Sequence, residues 1–403
     1  MRYDNHPAGR HFLQIPGPSN VPDHVLRAID HPTIDHRGPE FAQLGLSILE
    51  RIRRVFQTRE PVVIYAASGT GAWEAALVNT LSPGDAVLMA ETGHFALLWK
   101  RLAERLGLVP EFLPGDWRHG ASADEIGARL AADREHSIRA VCVVHNETST
   151  GTVSDIVAVR RAMDQARHPA LLMVDAISSL GSLDYRHDEW GVDVTVAGSQ
   201  KGLMLPPGLS FNAVGPKALA ASTTARLARA YWAWDEIIAA NAKGFWPTTP
   251  ATNLLYGLDA ALDQLLEEGL PAVYARHVRY GEATRAAVRA WGLEILCADP
   301  AAFSNVLTAV MMPEGHDADA FRKRVLERFD MSLGMGLSKV QGRVFRIGHL
   351  GDFNDHHLDG HARRSRDGPA ACRRSACAGR GRCGDESPGG NGCADGVNGE
   401  FRR

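Results

Sequence analysis

An α/β fold is predicted by this sequence, with a large domain built on a doubly wound, mainly parallel sheet and a smaller α+β domain after it. Between about residues 61 and 215, short apolar runs alternate with segments of helical periodicity, an order typical of doubly wound domains. Most of these runs are continuously apolar, which indicates strands buried on both faces of a parallel sheet. After about residue 253, long helical stretches lead into two strands separated by a helix, and this change predicts the second domain.

The individual elements are predicted in chain order. An extended arm (15–20) comes first, and a helix (41–56) with its apolar residues on one stripe precedes the sheet. Large-domain strands are predicted at 62–66, 86–90, 140–144, 171–176 and 192–197, with helices at 97–106, 123–130 and 156–166. Smaller-domain helices are predicted at 254–266, 272–291 and 318–329, and strands at 306–312 and 343–347. The predicted domain bounds are 1–20 for the arm, 21–252 and 253–355 for the two domains, and 356–403 for a tail.

The composition excludes several classes of function. The 403-residue chain has a formal net charge of −3, which gives no general attraction to nucleic acid or anionic membranes. No apolar run reaches the roughly 18 residues of a membrane-spanning helix, and the N-terminus lacks the apolar stretch of a signal peptide. A cytoplasmic location is therefore expected. Cys142 and Cys297 lie in apolar runs, and no cysteine pair has Cys-x-x-Cys spacing, so no metal site is expected.

The tail, residues 356–403, is rich in Arg, Gly, Ser, Ala and Cys and poor in large apolar side chains. Such a segment cannot bury enough surface to offset the entropy of ordering, so we expect it to be disordered. RNA binding by this tail is an alternative interpretation. The lack of interleaved aromatic residues for base stacking disfavours it.

Gln200 and Lys201 stand between an apolar strand and a Pro-Pro-Gly turn at 206–208. A solvated surface charge is poorly placed there. A lysine whose pKa is lowered by burial or by its neighbours is a nucleophile that forms Schiff bases with carbonyl compounds. A helix-start or phosphate-binding lysine is the alternative that the spacing leaves open.

The turn Ser68-Gly69-Thr70-Gly71 follows the first predicted strand of the sheet and precedes a helical pattern. Such a turn directs free N–H groups and the positive end of a helix toward an anion, for which a phosphate is the natural ligand. A dinucleotide fingerprint is the rival interpretation, because Glu91 lies about 20 residues further on, where a ribose-binding acid is expected. The third glycine of that fingerprint is missing.

Asp175 closes a buried strand, at the edge where open α/β sheets bind ligands. Taken alone, it is equally consistent with a helix cap or a structural ion pair. Together with a phosphate site at Ser68 and a lysine at position 201, it completes the three anchors that pyridoxal phosphate needs. Arg346 lies on a predicted strand of the smaller domain, and arginine binds carboxylates through a rigid two-pronged fork.

Eight stretches of this sequence resemble the class V, fold type I pyridoxal-phosphate aminotransferases. They lie at 16–22, 35–41, 68–71, 146–151, 174–176, 198–202, 249–256 and 345–348. The resemblance implies transfer of an amino group from an amino acid to glyoxylate. L-serine is the expected donor, and L-alanine or a broader set of donors is the alternative. It also implies a homodimer with shared active sites that acts on small amino acids and 2-oxo acids.

The resemblance implies a role for each matched residue. Lys201 would carry the cofactor covalently, and Asp175 would keep its pyridine nitrogen protonated. Arg346 would bind the substrate carboxylate. The remaining cofactor contacts would come from Ser68, Gly69 and Thr70 at the phosphate, with Gln200 nearby, Phe95 stacked on the ring, Thr148 at the 3-hydroxyl, and Thr248 or Thr249 reaching the phosphate of the neighbouring subunit.

The chain departs from this family after Asp355, where relatives continue with an apolar helix. The change to an Arg/Gly/Ala/Cys-rich sequence suggests an out-of-frame reading of a G/C-rich gene. Translation of the other frames would test this hypothesis by revealing, or failing to reveal, an apolar helical sequence. This departure also suggests an alternative function, that of a protein that binds pyridoxal phosphate but is catalytically impaired.

Overall fold

A computed structural model describes residues 11–354 of the chain. Its strands are β1 (Phe12–Gln14), β2 (Val62–Tyr65), β3 (Ala86–Ala90), β4 (Val109–Leu113), β5 (Ile138–Val144), β6 (Asn146–Glu147), β7 (Thr152–Val153), β8 (Leu171–Asp175), β9 (Val194–Gly198), β10 (Ser210–Val214), β11 (Glu294–Ile295), β12 (Leu307–Met311), β13 (Met331–Met335) and β14 (Val344–Gly348). Its helices are α1 (Asp23–Ile29), α2 (Pro39–Phe56), α3 (Gly69–Thr80), α4 (His94–Arg105), α5 (Ala123–Ala132), α6 (Ile156–Gln165), α7 (Pro216–Ser222), α8 (Trp234–Asn241), α9 (Thr252–Glu268), α10 (Leu270–Ala290) and α11 (Ala318–Phe329).

The large sheet has seven strands in the order β2-β10-β9-β8-β5-β3-β4. Strands β9, β8, β5, β3 and β4 are parallel, whereas β10 runs antiparallel to both of its neighbours. Since β10 is antiparallel to β2 and to β9, those two strands run in the same direction. The carboxyl ends of β2, β8 and β9 therefore meet at one edge of the sheet. The predicted fold class, with a mainly parallel sheet, is confirmed.

Both faces of this sheet are covered by apolar side chains, as the continuous apolar runs predicted. In β8, Leu172 and Val174 belong to the core on one face, whereas Leu171 and Met173 belong to the core on the other. The first core includes the buried stripe of α2, and the second includes the buried residues of α3. Helices on both faces therefore hold the strand ends in fixed positions.

A second sheet has the order β1-β13-β14-β12-β11. Strand β1 pairs in parallel with β13, and the other pairs are antiparallel. Phe321 and Val325 of α11 and Val288 of α10 pack against Phe345 and Ile347 of β14 in a core of their own. The N-terminal segment, predicted as an extended arm, thus supplies an edge strand to the second sheet before it reaches the first.

The predicted domain boundary at residue 252 falls in a region where the two domains share packing. Leu258 and Leu262 of α9 lie in the core beside α2, although α9 follows the predicted boundary at residue 252. The boundaries at 20, 252 and 355 stay predictions. The tail, 356–403, and its proposed frameshift lie outside the described residues. Within residues 11–354, no helix combines the length and the apolar character needed to cross a membrane.

Candidate active site

The carboxyl-terminal edge of the large sheet gathers most of the residues predicted to carry chemistry. Asp175 ends β8, Lys201 lies three residues after β9, and Ser68 precedes α3 in the turn that follows β2. The arm crosses this edge, because the Ser19 backbone N–H donates to the carbonyl of Gln200 (3.0 Å) and the Ser19 hydroxyl donates to the carbonyl of Lys201 (2.9 Å). The segment after β1 therefore fixes the backbone of the predicted nucleophile.

Lys201 is buried, and its Nζ donates a hydrogen bond to the carbonyl of Pro16 at 2.6 Å. The pKa of Lys201 is lowered to about 8, mainly by burial and also by the positive charge of Arg346, while the negative charge of Asp175 opposes this shift. Gly17 has a φ of +104°, and a Cβ there would overlap the Lys201 side chain, so only glycine lets the arm pass. The amine is thus deprotonated far more readily than an exposed lysine.

Asp175 is held by two hydrogen bonds at the end of β8. Its Oδ1 accepts from the backbone N–H of Ile177 (2.7 Å) and its Oδ2 accepts from the Trp73 Nε1–H (3.1 Å). The pKa of Asp175 is raised to about 7, mainly by burial and in part by the charge of Glu147. A buried carboxylate in this condition gains most from a cationic partner, because pairing restores the favourable electrostatics lost on burial.

The start of α3 has the features of an anion site. Ser68 occupies the N-cap position, and its exposed side chain makes no capping bond, so the first N–H groups of the helix are available to a ligand. A Cβ on Gly69 would overlap the Ile177 side chain, which explains the glycine there. Thr70 is exposed in the first turn of the helix.

Gln200 adds an orphaned polar group beside this turn. Its Oε1 is buried, and no residue within 11–354 hydrogen-bonds to it. The amide can be rotated by half a turn so that Nε2 takes this position, where it would donate to an anion. The free helix end and the unsatisfied amide together fit the phosphate of pyridoxal phosphate.

Phe95 and Thr148 are the two residues predicted to contact the cofactor ring. Phe95 is the second residue of α4 and is half-buried. Thr148 is buried, and its hydroxyl donates to Ser178 Oγ at 2.8 Å. Both residues stay predicted cofactor contacts.

Arg346 extends from β14 of the second sheet to the turn between β6 and β7. Its Nε donates to the carbonyl of Met335 and its Nη1 to the carbonyl of Thr148, both at 2.8 Å. Burial lowers the pKa of Arg346 to about 10, which leaves it charged near neutral pH. Both bonds go to neutral carbonyls, and neither involves Nη2. The guanidinium is therefore positioned while part of its fork stays available for a carboxylate.

Thr248 and Thr249 are exposed and line a cleft with Tyr65, Ala66 and Trp246. Their predicted reach to a neighbouring subunit's phosphate stays a prediction. Glu91, the candidate acid of the dinucleotide interpretation, instead accepts from Trp117 Nε1 at 2.9 Å and pairs with Lys339.

Two site residues were not identified from the sequence. Trp73 looked like one apolar residue in a helical pattern, and only the tertiary structure shows its indole donating to Asp175. Glu147 lies inside the motif 146–151, next to Thr148, and is fully buried. An acid inside a motif between two buried strands was the available signal for it.

The fold that brings Asp175 and Lys201 to this edge of the sheet is that of the fold type I aminotransferases. A solved structure of an alanine–glyoxylate aminotransferase from Nostoc sp. superposes with a TM-score of 0.85 at 28% identity, covering 92% of this chain and 98% of that one. Residues 11–327 match the aminotransferase class-V family, and the chain belongs to this family. The resemblance seen in the sequence is confirmed, and the chain is an aminotransferase rather than a hydride-transfer enzyme.

Two curated relatives resemble the chain over most of its length. A serine–glyoxylate aminotransferase from Methylorubrum extorquens is 49% identical over 86% of this chain and 88% of its own length. An L-aspartate–glyoxylate aminotransferase from Paracoccus denitrificans is 47% identical over 85% of this chain and 86% of its own. The two relatives share an acceptor in their names and differ in the amino donor.

Proposed function

We propose that this aminotransferase uses pyridoxal phosphate to transfer the amino group of L-serine to glyoxylate, which yields hydroxypyruvate and glycine. The observation that carries the proposal is the buried Lys201 amine, whose pKa is lowered to about 8, at the sheet edge that also holds Asp175 and the tip of Arg346. The 49% identity to a serine–glyoxylate aminotransferase supports serine as the donor.

The site offers residues suited to the phosphate, the ring and the 3-hydroxyl group of the cofactor. The N-terminus of α3, with Ser68, Gly69 and Thr70, would bind its phosphate, together with the unsatisfied amide of Gln200. Phe95 would stack on the ring, and Thr148 would contact its 3-hydroxyl. When bound, pyridoxal phosphate supplies an electron sink for the negative charge that develops at the substrate Cα.

The chain's own groups supply binding and proton transfer. Arg346 binds the α-carboxylate of donor and acceptor through its fork, which orients the substrate Cα. Lys201 Nζ, as a neutral amine, removes the Cα proton and returns a proton in the reverse half of the reaction. Asp175 keeps a proton on the pyridine nitrogen, and its bonds from Trp73 and Ile177 fix the carboxylate for that task.

The assembly and the location belong to the same proposal. A homodimer is expected because the exposed Thr248 and Thr249 would complete the phosphate site of the partner subunit. A cytoplasmic location is part of the same proposal. Mixing a Lys201→Ala chain with a Thr248→Ala/Thr249→Ala chain tests the sharing of sites, since mixed dimers should form one site free of both changes. Activity that stays at the sum of the parents would contradict it.

A donor panel tests the assigned reaction. The purified protein is loaded with pyridoxal phosphate and given L-serine, L-alanine or L-aspartate, with glyoxylate as acceptor and glycine formation as the readout. We expect the highest kcat/KM with serine, and no glycine from Lys201→Ala with any donor. If another donor gives a higher kcat/KM than serine, that amino acid is the preferred donor and the assignment of serine is wrong.

A broader donor range is the second candidate function. The Paracoccus relative, named for aspartate, is nearly as similar as the relative named for serine. Comparable kcat/KM values for all three donors would establish it. A yellow holoprotein that produces no glycine from any donor would instead support the impaired cofactor-binding protein suggested by the atypical tail.

A further inference from the structure

Glu147 is a fully buried acid for which the proposed reaction has no task. It ends β6 and directly precedes Thr148, whose carbonyl accepts a hydrogen bond from Arg346. It is 0% exposed. A buried acid is costly to keep ionised unless hydrogen-bond donors and a nearby positive charge compensate it. The groups around Glu147 therefore indicate its protonation state and its role.

Four hydrogen-bond donors surround the Glu147 carboxylate. They are the backbone N–H groups of Phe95 (3.3 Å), Ala96 (3.2 Å) and Ser149 (3.0 Å) and the Ser149 hydroxyl (2.6 Å). Two of these N–H groups belong to the first turn of α4, where the helix dipole favours a negative charge. Burial raises the pKa of Glu147 and these donors lower it. Because every partner donates, the arrangement fits the ionised form, which only accepts.

The charge that faces this carboxylate is Arg346. Its two hydrogen bonds end on the carbonyls of Thr148 and Met335, so no carboxylate of residues 11–354 pairs with it directly. The negative charge of Glu147 acts on it at longer range and raises its pKa against the effect of burial, whereas Arg322 lowers it. Glu147 therefore compensates the guanidinium without occupying the fork.

We propose that Glu147 is a positioning and charge-balancing residue that holds the start of α4 against the 146–151 turn and limits how strongly Arg346 attracts a substrate carboxylate. Donor and acceptor both carry an α-carboxylate, and both must leave the site in every cycle. The negative charge of Glu147 lowers the affinity of the guanidinium for such ligands, so that they can dissociate in each cycle. This inference rests on the proposed function, since it takes Arg346 as the carboxylate-binding group.

The test is binding of glycolate, a hydroxy acid without an amine, to the holoprotein at pH 7.5, measured by titration calorimetry. Glu147→Gln keeps the shape of the side chain and removes its charge, so the repulsion between two buried carboxylates disappears and glycolate should bind about tenfold more tightly. A merely structural role predicts weaker binding instead. Glu147→Asp, which keeps the charge, and Ser149→Ala, which removes one donor, should stay within about twofold of the wild type.

An Arg346→Met variant separates this inference from the proposed function. If the wild type binds glycolate and Arg346→Met does so equally well, the assignment of Arg346 fails. If binding depends on Arg346 but Glu147→Gln binds glycolate no more tightly than the wild type, the role of Glu147 is overturned. Glu147→Asp binding that rises as much as Glu147→Gln binding would also overturn it, because charge would not be the determinant.

A second measurement covers a Glu147→Gln variant that does not fold. Arg346→Met alone leaves the Glu147 charge buried without compensation. Adding Glu147→Gln to Arg346→Met should therefore raise the urea concentration at which the protein half-unfolds. A double variant that unfolds at the same or a lower urea concentration than Arg346→Met would refute the coupling between these two charges.

Discussion

The pKa of Lys201 yields a prediction with a magnitude that follows from the structure. At pH 7, an amine with a pKa of about 8 is about 9% neutral, whereas one at the ordinary value of 10.5 is about 0.03% neutral. Burial beside Arg346 thus increases the reactive fraction about 300-fold. Capture of pyridoxal phosphate by the apoprotein should accelerate as the pH rises through about 8 and level off above it.

The neighbouring charges predict shifts of opposite sign. Arg346→Met removes a positive charge that disfavours the ammonium, so the midpoint of the rate profile should move to higher pH. Asp175→Asn removes a negative charge that favours the ammonium, so the midpoint should move to lower pH. The sign of each shift depends only on Coulomb interactions at a buried site, which makes the pair of variants more informative than either one alone.

The assay is the observed rate of absorbance change after mixing apoprotein with excess pyridoxal phosphate between pH 6 and 10. Free Nα-acetyl-lysine, measured in parallel, corrects for the titration of the cofactor itself. Borohydride reduction and peptide mapping then show that the label is on Lys201. A wild-type midpoint above pH 10, or midpoints that move in the same direction in both variants, would refute this account of the lysine.

Three further predictions concern the substrate, the cofactor and the fold. Arg346→Ala should raise KM for both serine and glyoxylate about 100-fold, since both lose a charge-assisted pair; an unchanged KM would remove Arg346 from the site. Asp175→Asn should lower kcat about 100-fold or more while the far-ultraviolet circular dichroism stays the same, and a near-normal kcat would refute its role at the ring nitrogen. Leu258→Ala should lower the free energy of unfolding by about 2–5 kcal/mol in urea, because this side chain is fully buried in the core beside α2; a loss below about 1 kcal/mol would contradict that packing.

The central strands could be predicted because their sequence alone specifies burial. The strand predicted at 86–90 matches β3, and those predicted at 140–144 and 171–176 match β5 and β8 to within two residues at each end. Helix α11 was predicted with its observed bounds, 318–329. In these segments the apolar period and the neighbouring turn residues favour the same element, so local and tertiary preferences agree.

The strands that were not predicted depend on partners distant in sequence. Strand β10 contains Ser210 and Asn212, whose polarity hides a fully buried strand. The amide of Asn212 is satisfied only by folding, since it accepts from Tyr65 Oη (3.0 Å) and donates to the carbonyl of Ala72 (3.2 Å). Strand β1 has three residues and exists through pairing with β13. Local sequence cannot specify such pairing.

The residues of the candidate site also fall into those that could be predicted from the sequence and those that could not. Lys201 and Asp175 could be predicted because strand ends in a parallel sheet converge at one edge, a rule that needs no side-chain contacts. Trp73 and Glu147 act through hydrogen bonds to another element, to the Asp175 side chain and to backbone N–H groups of α4, across 102 and about 50 residues of chain. Their partners are set by packing, so the position of Glu147 inside the 146–151 motif could draw attention to it but could not identify the groups that it contacts.

Four buried ionisable groups meet at this edge, two cationic and two acidic. Burial disfavours the charged form of each, and it is the main reason why the pKa of Lys201 falls to about 8 and that of Asp175 rises to about 7; Arg346 and Glu147 shift these values in the same directions as burial. Arg346 lowers the pKa of Lys201, and Glu147 raises that of Asp175. Replacing one group therefore changes the protonation of the others. The loss of activity in a single variant therefore includes the changed protonation of the neighbouring groups. Paired variants, such as those of Arg346 with Glu147, are needed to separate the effect of a residue's own contacts from the effect of its charge on its neighbours.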